Sequence, residues 1–252
     1  MDGVIAQAAI AAVITAAGSS SRMGKGIKKE YRPLGAGIND ADRRPLTVLG
    51  AAVSAFAANP RIGIIVITIP TSAESAETEA RAALPMSLLM TGNKPRILFV
   101  PGGSTRRASV HQALALLSAY NPDYVLIHDG GRPWVDGLLI ERIIDALLRN
   151  PAVVPLLPLT ETPKEFDEAG FVIRHLRRAS VGTAQTPQGF AFPEILRAHG
   201  LAAERERREY YEYTDDAEVW GEFIGPVATV EGSVKNKKIT FPDDLEKNMP
   251  QK

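Results

Sequence analysis

Val13-Ile14-Thr15-Ala16-Ala17-Gly18-Ser19-Ser20-Ser21-Arg22-Met23-Gly24-Lys25, with Lys28 and Lys29 just beyond, is the stretch around which the rest of the chain is arranged. The apolar run from Ala8 to Ala17 ends in Gly and Ser, which reads as a buried strand opening into a turn. Small residues let backbone approach a ligand closely, and successive N–H groups can surround phosphate oxygens. Arg22, Lys25, Lys28 and Lys29 add cations beside that turn, more than one phosphate needs and enough for a triphosphate. Two common phosphate signatures are absent. The P-loop fails because Met23 stands where its second Gly should be and Gly26 follows Lys25, and the dinucleotide pattern fails because position 20 is Ser. The competing reading is an ordinary Gly/Ser turn with solvated lysines.

Downstream, strand and helix patterns alternate. Residues 35–44 are Gly-rich and charged, an exposed loop, and Pro45 fits the first turn of a helix carrying Leu46, Leu49, Val53 and Phe56 on one face. Ile62–Ile69 is a β-branched strand covered on both faces, Glu74–Leu84 a helix and Arg96–Val100 a short strand. A second Gly-rich loop, 101–107, follows, with Ser104 placed to cap the next helix. Tyr124–Ile127 is a buried strand ending at His128-Asp129-Gly130-Gly131-Arg132-Pro133; then come a helix at Leu138–Leu148 and a strand at Ala152–Leu157. This alternation is the mark of βαβ units and a mostly parallel, doubly wound α/β sheet, in which ligands bind beyond the carboxyl ends of the strands. Loops 18–29, 101–107 and 128–133 are expected along that edge.

The alternation stops after Pro158. Residues 158–178 read as a two-stranded arm turning near Glu168-Ala169-Gly170, and such a hairpin must pack on something, a partner subunit for instance. A helix from Pro193 to about Ala203, a charge run at Glu204–Glu212, a short helix after Thr214-Asp215-Asp216 and a strand near Val227–Val230 complete the pattern.

Composition narrows the function. With 252 residues the chain can build a full core; 29 basic and 29 acidic residues cancel, so no global field favours nucleic acid or an anionic membrane. The absence of cysteine excludes disulfides, thiolate metal sites and a cysteine nucleophile, and fits the cytoplasm. The segment Met1–Ala12 reads as the first strand rather than a signal peptide, and no apolar run reaches membrane-spanning length.

Asp129 ends a strand at the expected ligand edge. A carboxylate facing phosphates calls for a cation between them, and Mg²⁺ held by one carboxylate plus phosphate oxygens is the usual arrangement. The alternative is that Asp129 pairs with Arg132 and shapes the turn. His128 reads as a packed residue rather than a base, and the histidines at 111, 128, 175 and 199 assemble no zinc site or Ser/His/Asp set. A basic, Gly-rich pocket with one carboxylate suits phosphorus transfer, in which an enzyme positions groups and neutralises charge.

Taken in order, Ala16-Ala17-Gly18…Arg22-Met23…Lys29-Glu30-Tyr31, Gly102-Gly103…Arg106…Ser109-Val110, His128-Asp129-Gly130-Gly131-Arg132-Pro133, and Ala184-Gln185-Thr186-Pro187-Gln188 with Glu231-Gly232…Asn236-Lys237-Lys238-Ile239-Thr240 resemble the 2-C-methyl-D-erythritol 4-phosphate cytidylyltransferases of the non-mevalonate isoprenoid pathway. The resemblance covers nearly the whole chain. It implies one nucleotidyltransferase domain over 1–252, a Rossmann-like sheet with a protruding β-arm at 158–178, and transfer of a cytidylyl group from CTP to methylerythritol phosphate with a divalent metal, Mg²⁺, as cofactor. It assigns CTP to Ala16, Ala17, Gly18, Ser19, Gly102, Ser109 and Asp129, the metal to Asp129, and charge stabilisation to Arg22 and Lys29. The acceptor falls to Arg132, Thr162, Arg178, Thr186 and Lys238; Lys238 positions the attacking phosphate, and Arg178 and Lys238 join Arg22 and Lys29 as catalytic residues. It implies a homodimer through the arm, so that Thr162 and Arg178 serve the other subunit. In this chain Lys28 stands where many relatives have Pro, which leaves open whether Lys25 or Lys28 shares the role of Lys29. The loop at 35–44, longer than the family's, is either inert or a cover for the CTP pocket. A pentitol phosphate cytidylyltransferase using ribitol 5-phosphate would share fold and CTP half-site and differ in the acceptor contacts of the arm. A non-catalytic nucleotide sensor would have no need of Arg22, Lys29 and Asp129 together.

Overall fold

Ile10–Thr15 (β1) is the central strand, and the computed structural model, which describes residues 8–19, 27–35, 38–40, 43–71, 75–90 and 95–246, shows why. Its side chains alternate between two cores. Ile10, Ala12 and Ile14 face a layer containing Leu49, Val53 and Phe56 of α1 (Val48–Ala57) and Ile140, Ile143 and Ile144 of α5 (Gly137–Leu147). Ala11 and Val13 face Val110, Leu114 and Leu117 of α4 (Arg106–Leu117), with Ile195 of α6 (Phe192–Arg208) and Trp220 of α7 (Asp216–Phe223) beyond. A strand buried on both faces needs an apolar run, and that run is what the sequence carries.

β1 pairs in parallel with β2 (Ile62–Ile69) on one side and β4 (Tyr124–Asp129) on the other, and β2 pairs in parallel with β3 (Arg96–Pro101). Two short helices, α2 (Ala76–Ala82) and α3 (Met86–Leu89), connect β2 to β3. Beyond β4 the order continues through β9 (Gln188–Ala191), β5 (Ala152–Pro158) and β10 (Ala228–Glu231), with β8 (Gly182–Ala184) also on β5. β9 runs antiparallel between β4 and β5, so the sheet is mixed and mostly parallel. The chain winds outward from β1 to β3, then returns to build β4 on the opposite side. The reversal of strand order therefore lies between β1 and β4, where Thr15 and Asp129 are register partners at the carboxyl ends.

The arm forms as read: β6 (Lys164–Phe166) and β7 (Val172–His175) pair only with each other among the described residues, and Gly170 supplies the turn at φ +85°. Several boundaries differ from the sequence reading. Pro45 does not open α1; it lies in an extended bridge to Asn39, and Thr47 caps the helix by accepting from Gly50 N at 2.9 Å. α4 is capped by Thr105, not Ser104. α6 runs through part of the charge run to Arg208, because Arg205, Arg207 and Arg208 complement the negative end of the helix. In the long loop, Ile38 packs with the cluster of Leu34, Val48 and Ile239, so that part is anchored rather than freely exposed. Met1–Gln7 and the start of the expected helix at Glu74 lie outside the described residues. No helix among those described is long and apolar enough to cross a membrane.

Gly189 of β9 sits under α5, where a Cβ would lie 2.7 Å from Leu147 and 2.8 Å from Ile143. Gly189→Ala is predicted to lower the denaturant midpoint, by ~1–3 kcal/mol of stability as overpacking costs; an unchanged midpoint in urea unfolding contradicts this packing.

Candidate active site

A cleft of about 770 Å³ opens at the carboxyl ends of β1, β2 and β4, lined by all three expected loops. The first loop lies against the second so closely that a Cβ on Gly102 would be 2.3 Å from Ala17 Cβ; only glycine allows the contact. Ala16 is buried behind, its N–H donating to Thr68 Oγ1 at 3.0 Å, while Ala17, Gly18 and Ser19 reach the cleft. Ser109 lines it from α4, but its hydroxyl is committed to the second loop: it accepts from Gly103 N at 3.0 Å and donates to Thr105 O at 2.9 Å.

Both described lysines of the opening segment line the cleft. Lys28 Nζ donates to Gly18 O and lies 3.2 Å from Glu30; Lys29 Nζ lies 3.8 Å from Glu30 and donates to Ile239 O at 3.0 Å. Lys28 thus ties down the glycine loop, whereas Lys29 spans to the C-terminal segment. Arg22 and Lys25 lie outside the described residues.

Asp129 is 7% exposed and meets three cations: Lys238 Nζ at 2.8 Å from Oδ2, Arg106 Nε at 3.2 Å from Oδ1 and Arg132 Nε at 3.5 Å from Oδ2. Burial by itself would raise its pKa, but these charges and the Lys238 hydrogen bond outweigh burial and hold the carboxyl well below the usual range. Burial works against Arg106 too, yet Asp216 and Asp129 raise it above its ordinary value. The pairing of Asp129 with Arg132 is real but is one contact of three.

Thr186, expected on the acceptor, is instead 4% exposed and holds the site from behind. Its hydroxyl accepts from Asp129 N at 3.1 Å and bonds His128 Nδ1 at 3.0 Å, while His128 Nε2 lies 3.1 Å from Arg132 O. The carbonyl can only accept, so Nε2 carries a proton, and in a neutral ring Nδ1 then accepts from Thr186. Burial pushes His128 down to about 4, which agrees with that tautomer and with a packed, non-basic role. Arg132 is drawn backward as well, donating to Asn236 O at 2.9 Å, and neither it nor Thr186 lines the cleft. Lys238 does line it. The segment bearing Lys238 is held by Gln185, which donates to Ser233 O at 3.0 Å, and by Asn236, which donates to Thr186 O at 2.6 Å. Thr162 and Arg178 are exposed on the arm, outside the cleft, and Arg178 donates to Thr160 O at 2.7 Å. The described residues of the long loop do not line it either.

Arg106 and Asp216 were given no role by the sequence reading. The signal was present: Arg106 and Arg107 occupy the first turn of α4, where the helix dipole disfavours cations. Among the described residues no group of three or more His, Asp and Glu could hold a metal alone. Asp129 fits a divalent ion only as one carboxylate completed by phosphate oxygens, the donor set Mg²⁺ accepts. The arrangement can bind a polyphosphate and neutralise charge on a reacting phosphorus.

The family model for 2-C-methyl-D-erythritol 4-phosphate cytidylyltransferase, IspD, matches residues 10–248. The bifunctional enzyme IspD/IspF of Nitrobacter winogradskyi is 39% identical over 236 residues, covering 93% of this chain and 54% of that one. The corresponding enzyme of Rhodospirillum rubrum is 38% identical over 240 residues, covering 95% and 56%. The chain spans about half the length of these curated relatives. Among solved structures, the 4-diphosphocytidyl-2C-methyl-D-erythritol synthase of Anaerococcus prevotii superposes with a TM-score of 0.74 at 26% identity, covering 95% of this chain and 94% of that one. The 2-C-methyl-D-erythritol 4-phosphate cytidylyltransferase of Thermus thermophilus superposes with a TM-score of 0.66 at 30% identity, covering 95% and 96%.

The buried neutral His128 makes stability depend on pH. Between pH 6.5 and 4 the unfolded chain takes up a proton at this position that the folded chain refuses, so the His128 contribution to stability is lost as pH falls through that window. The gap from 6.5 to about 4 corresponds to ~3 kcal/mol; His111, lowered by burial, adds in the same direction. Unfolding free energies measured across this window should show the slope, and His128→Gln should lose most of it; an equally steep slope in the variant contradicts the assignment.

Proposed function

The chain belongs to the 2-C-methyl-D-erythritol 4-phosphate cytidylyltransferase family, and from that premise we propose that it transfers the cytidylyl group of CTP to 2-C-methyl-D-erythritol 4-phosphate, giving 4-diphosphocytidyl-2-C-methyl-D-erythritol and pyrophosphate. The observation that carries this reading is the convergence of Lys29, Lys238 and Arg106 with Asp129 in one cleft where β1 and β4 end. An oxygen of the acceptor phosphate attacks the α-phosphorus of CTP. The new P–O bond forms as the bond to the bridging oxygen of the β-phosphate breaks, and that electron pair leaves with pyrophosphate. Every reacting group is anionic, so the protein's task is to hold two anions in line and to match the charge that builds on the phosphorus.

The glycine loop at Ala17–Ser19, tied by Lys28, receives the triphosphate. Lys29, fixed to Ile239 O, faces the developing negative charge, a task the resemblance also gives to Arg22. Lys238, joined to Asp129, positions the attacking phosphate, and Ser109 and Gly102 set the second loop against the nucleoside. Asp129 would hold Mg²⁺ with phosphate oxygens; bound there, the ion neutralises and polarises the phosphates. The water-soluble substrates support a cytoplasmic place of work.

The arm supports a homodimer. Phe166, Phe171, Val172 and Ile173 are 70, 71, 50 and 60% exposed on a two-stranded hairpin, apolar surface that a second copy would cover. Thr162 and Arg178 would then complete the acceptor site of the other subunit.

Two measurements test the proposal. Pyrophosphate release from CTP should be fast with 2-C-methyl-D-erythritol 4-phosphate and slow with ribitol 5-phosphate; Lys29→Ala should cut kcat by ~10²–10³ as loss of a transition-state donor does, with the fold intact by circular dichroism. Ribitol phosphate as the better acceptor, or undiminished turnover without Lys29, overturns it. The double variant Phe171→Ser with Ile173→Ser should shift a dimer to monomer in light scattering; an unaltered dimer assigns the interface elsewhere.

A further inference from the structure

Thr214-Asp215-Asp216 brings two adjacent carboxylates to the start of α7, and the helix needs one. Asp215 is the cap: its Oδ1 accepts from Glu218 N at 2.8 Å and its Oδ2 from Gln188 Nε2 at 2.8 Å. Asp216 turns inward instead and is fully buried. Its Oδ2 accepts from Arg106 Nη1 at 2.8 Å, and its Oδ1 lies 3.3 Å from His199 Nε2 on α6. Nothing in α7 requires a buried charge at this position.

The consequence appears at Arg106. A guanidinium beside a single carboxylate settles into a two-pronged pair that occupies both oxygens. Here Asp216 takes Nη1, so Arg106 reaches Asp129 through Nε alone, at 3.2 Å from Oδ1. Asp129 Oδ2 is thereby left to Lys238 at 2.8 Å and Arg132 at 3.5 Å. Among the described residues Arg106 Nη2 has no hydrogen-bond partner, so the fork is held by its two anchors rather than spent on Asp129. His199, buried behind Asp216, closes the chain of contacts from α6 to the cleft.

We infer that Asp216 is a positioning residue for nucleotide binding: it holds Arg106 in a one-pronged contact with Asp129, so that this guanidinium is not spent on a closed two-pronged pair with the carboxylate. Without it, Arg106 closes on Asp129 with both prongs, and an incoming nucleotide, with or without a divalent ion, must displace a full ion pair. The inference rests on the cytidylyl-transfer reading but concerns binding, which can be measured without turnover.

The test is titration calorimetry of CTP with Mg²⁺ into the intact protein, alongside thermal melts and steady-state kinetics. Asp216→Asn, which keeps shape and removes charge, should weaken CTP binding about tenfold or more and raise KM for CTP in step, with kcat changed less than about threefold. Asp216→Glu should recover much of that loss. Asp215→Ala should do the reverse of Asp216→Asn, lowering the melting temperature while CTP affinity stays within about twofold. In an Arg106→Gln background, Asp216→Asn should add no further loss, because it acts through that guanidinium. CTP affinity within twofold of wild type in Asp216→Asn, or a full additional loss in the Arg106→Gln background, overturns the inference and leaves the functional reading standing. A wild-type protein that binds no CTP overturns both. If Asp216→Asn melts before binding can be read, Arg106→Lys decides: it keeps the charge and loses the fork, and wild-type affinity in that variant is equally fatal.

Discussion

Asp129 is a nearly buried carboxylate with Lys238, Arg106 and Arg132 all within 3.5 Å, at the point where the strand order reverses. Burying one charge is costly unless others compensate, and the compensation here arrives from three separate stretches of chain. Arg106 comes from the start of α4, Arg132 from the turn after β4 and Lys238 from the segment beyond β10. Asp129 therefore determines where these segments can sit. Under the proposed function, the cations gathered by this structural anion are also those that an anionic substrate would meet.

That arrangement explains residues that a motif would label as substrate contacts. Thr186 and His128 form a buried, neutral hydrogen-bond chain that fixes the Asp129 backbone, and Gln185 and Asn236 bind the segment that delivers Lys238. Their task is to prevent a long loop from drifting by the ångström that separates a productive contact from a useless one. The antiparallel β9 serves the same end, since it places the Gln185–Gln188 stretch beside both β4 and the Lys238 segment.

The apolar runs of β1, β2, β4 and β5 were legible in the sequence because strands buried on both faces cannot hide their composition. The three loops of the site were legible because glycine, serine and cations gather where strands of such a sheet end. Helix starts were less so: Thr47 caps two residues beyond the Pro45 that reads as a first helical turn, and Thr105 caps in place of Ser104, a neighbour of similar capping chemistry from which only the path of the chain separates it. The antiparallel direction of β9 left no local trace, because Gln188–Ala191 is short and its partners lie far away in sequence. Asp216 could not be told from Asp215 without the fold: both are carboxylates at a helix start, and only packing sends one to the backbone and the other to Arg106. The arm's exposed phenylalanines were visible as a hairpin without a core, which is what the single chain shows.

The most direct test is a crystal structure with CTP and a divalent ion bound. The triphosphate is predicted to lie between Gly18–Ser19 and Asp129, with Lys29 Nζ within hydrogen-bond reach of a phosphate oxygen and Arg106 still shared between Asp129 and Asp216. CTP seated elsewhere on the molecule, or Lys29 and Arg106 turned away from its phosphates, would contradict the account.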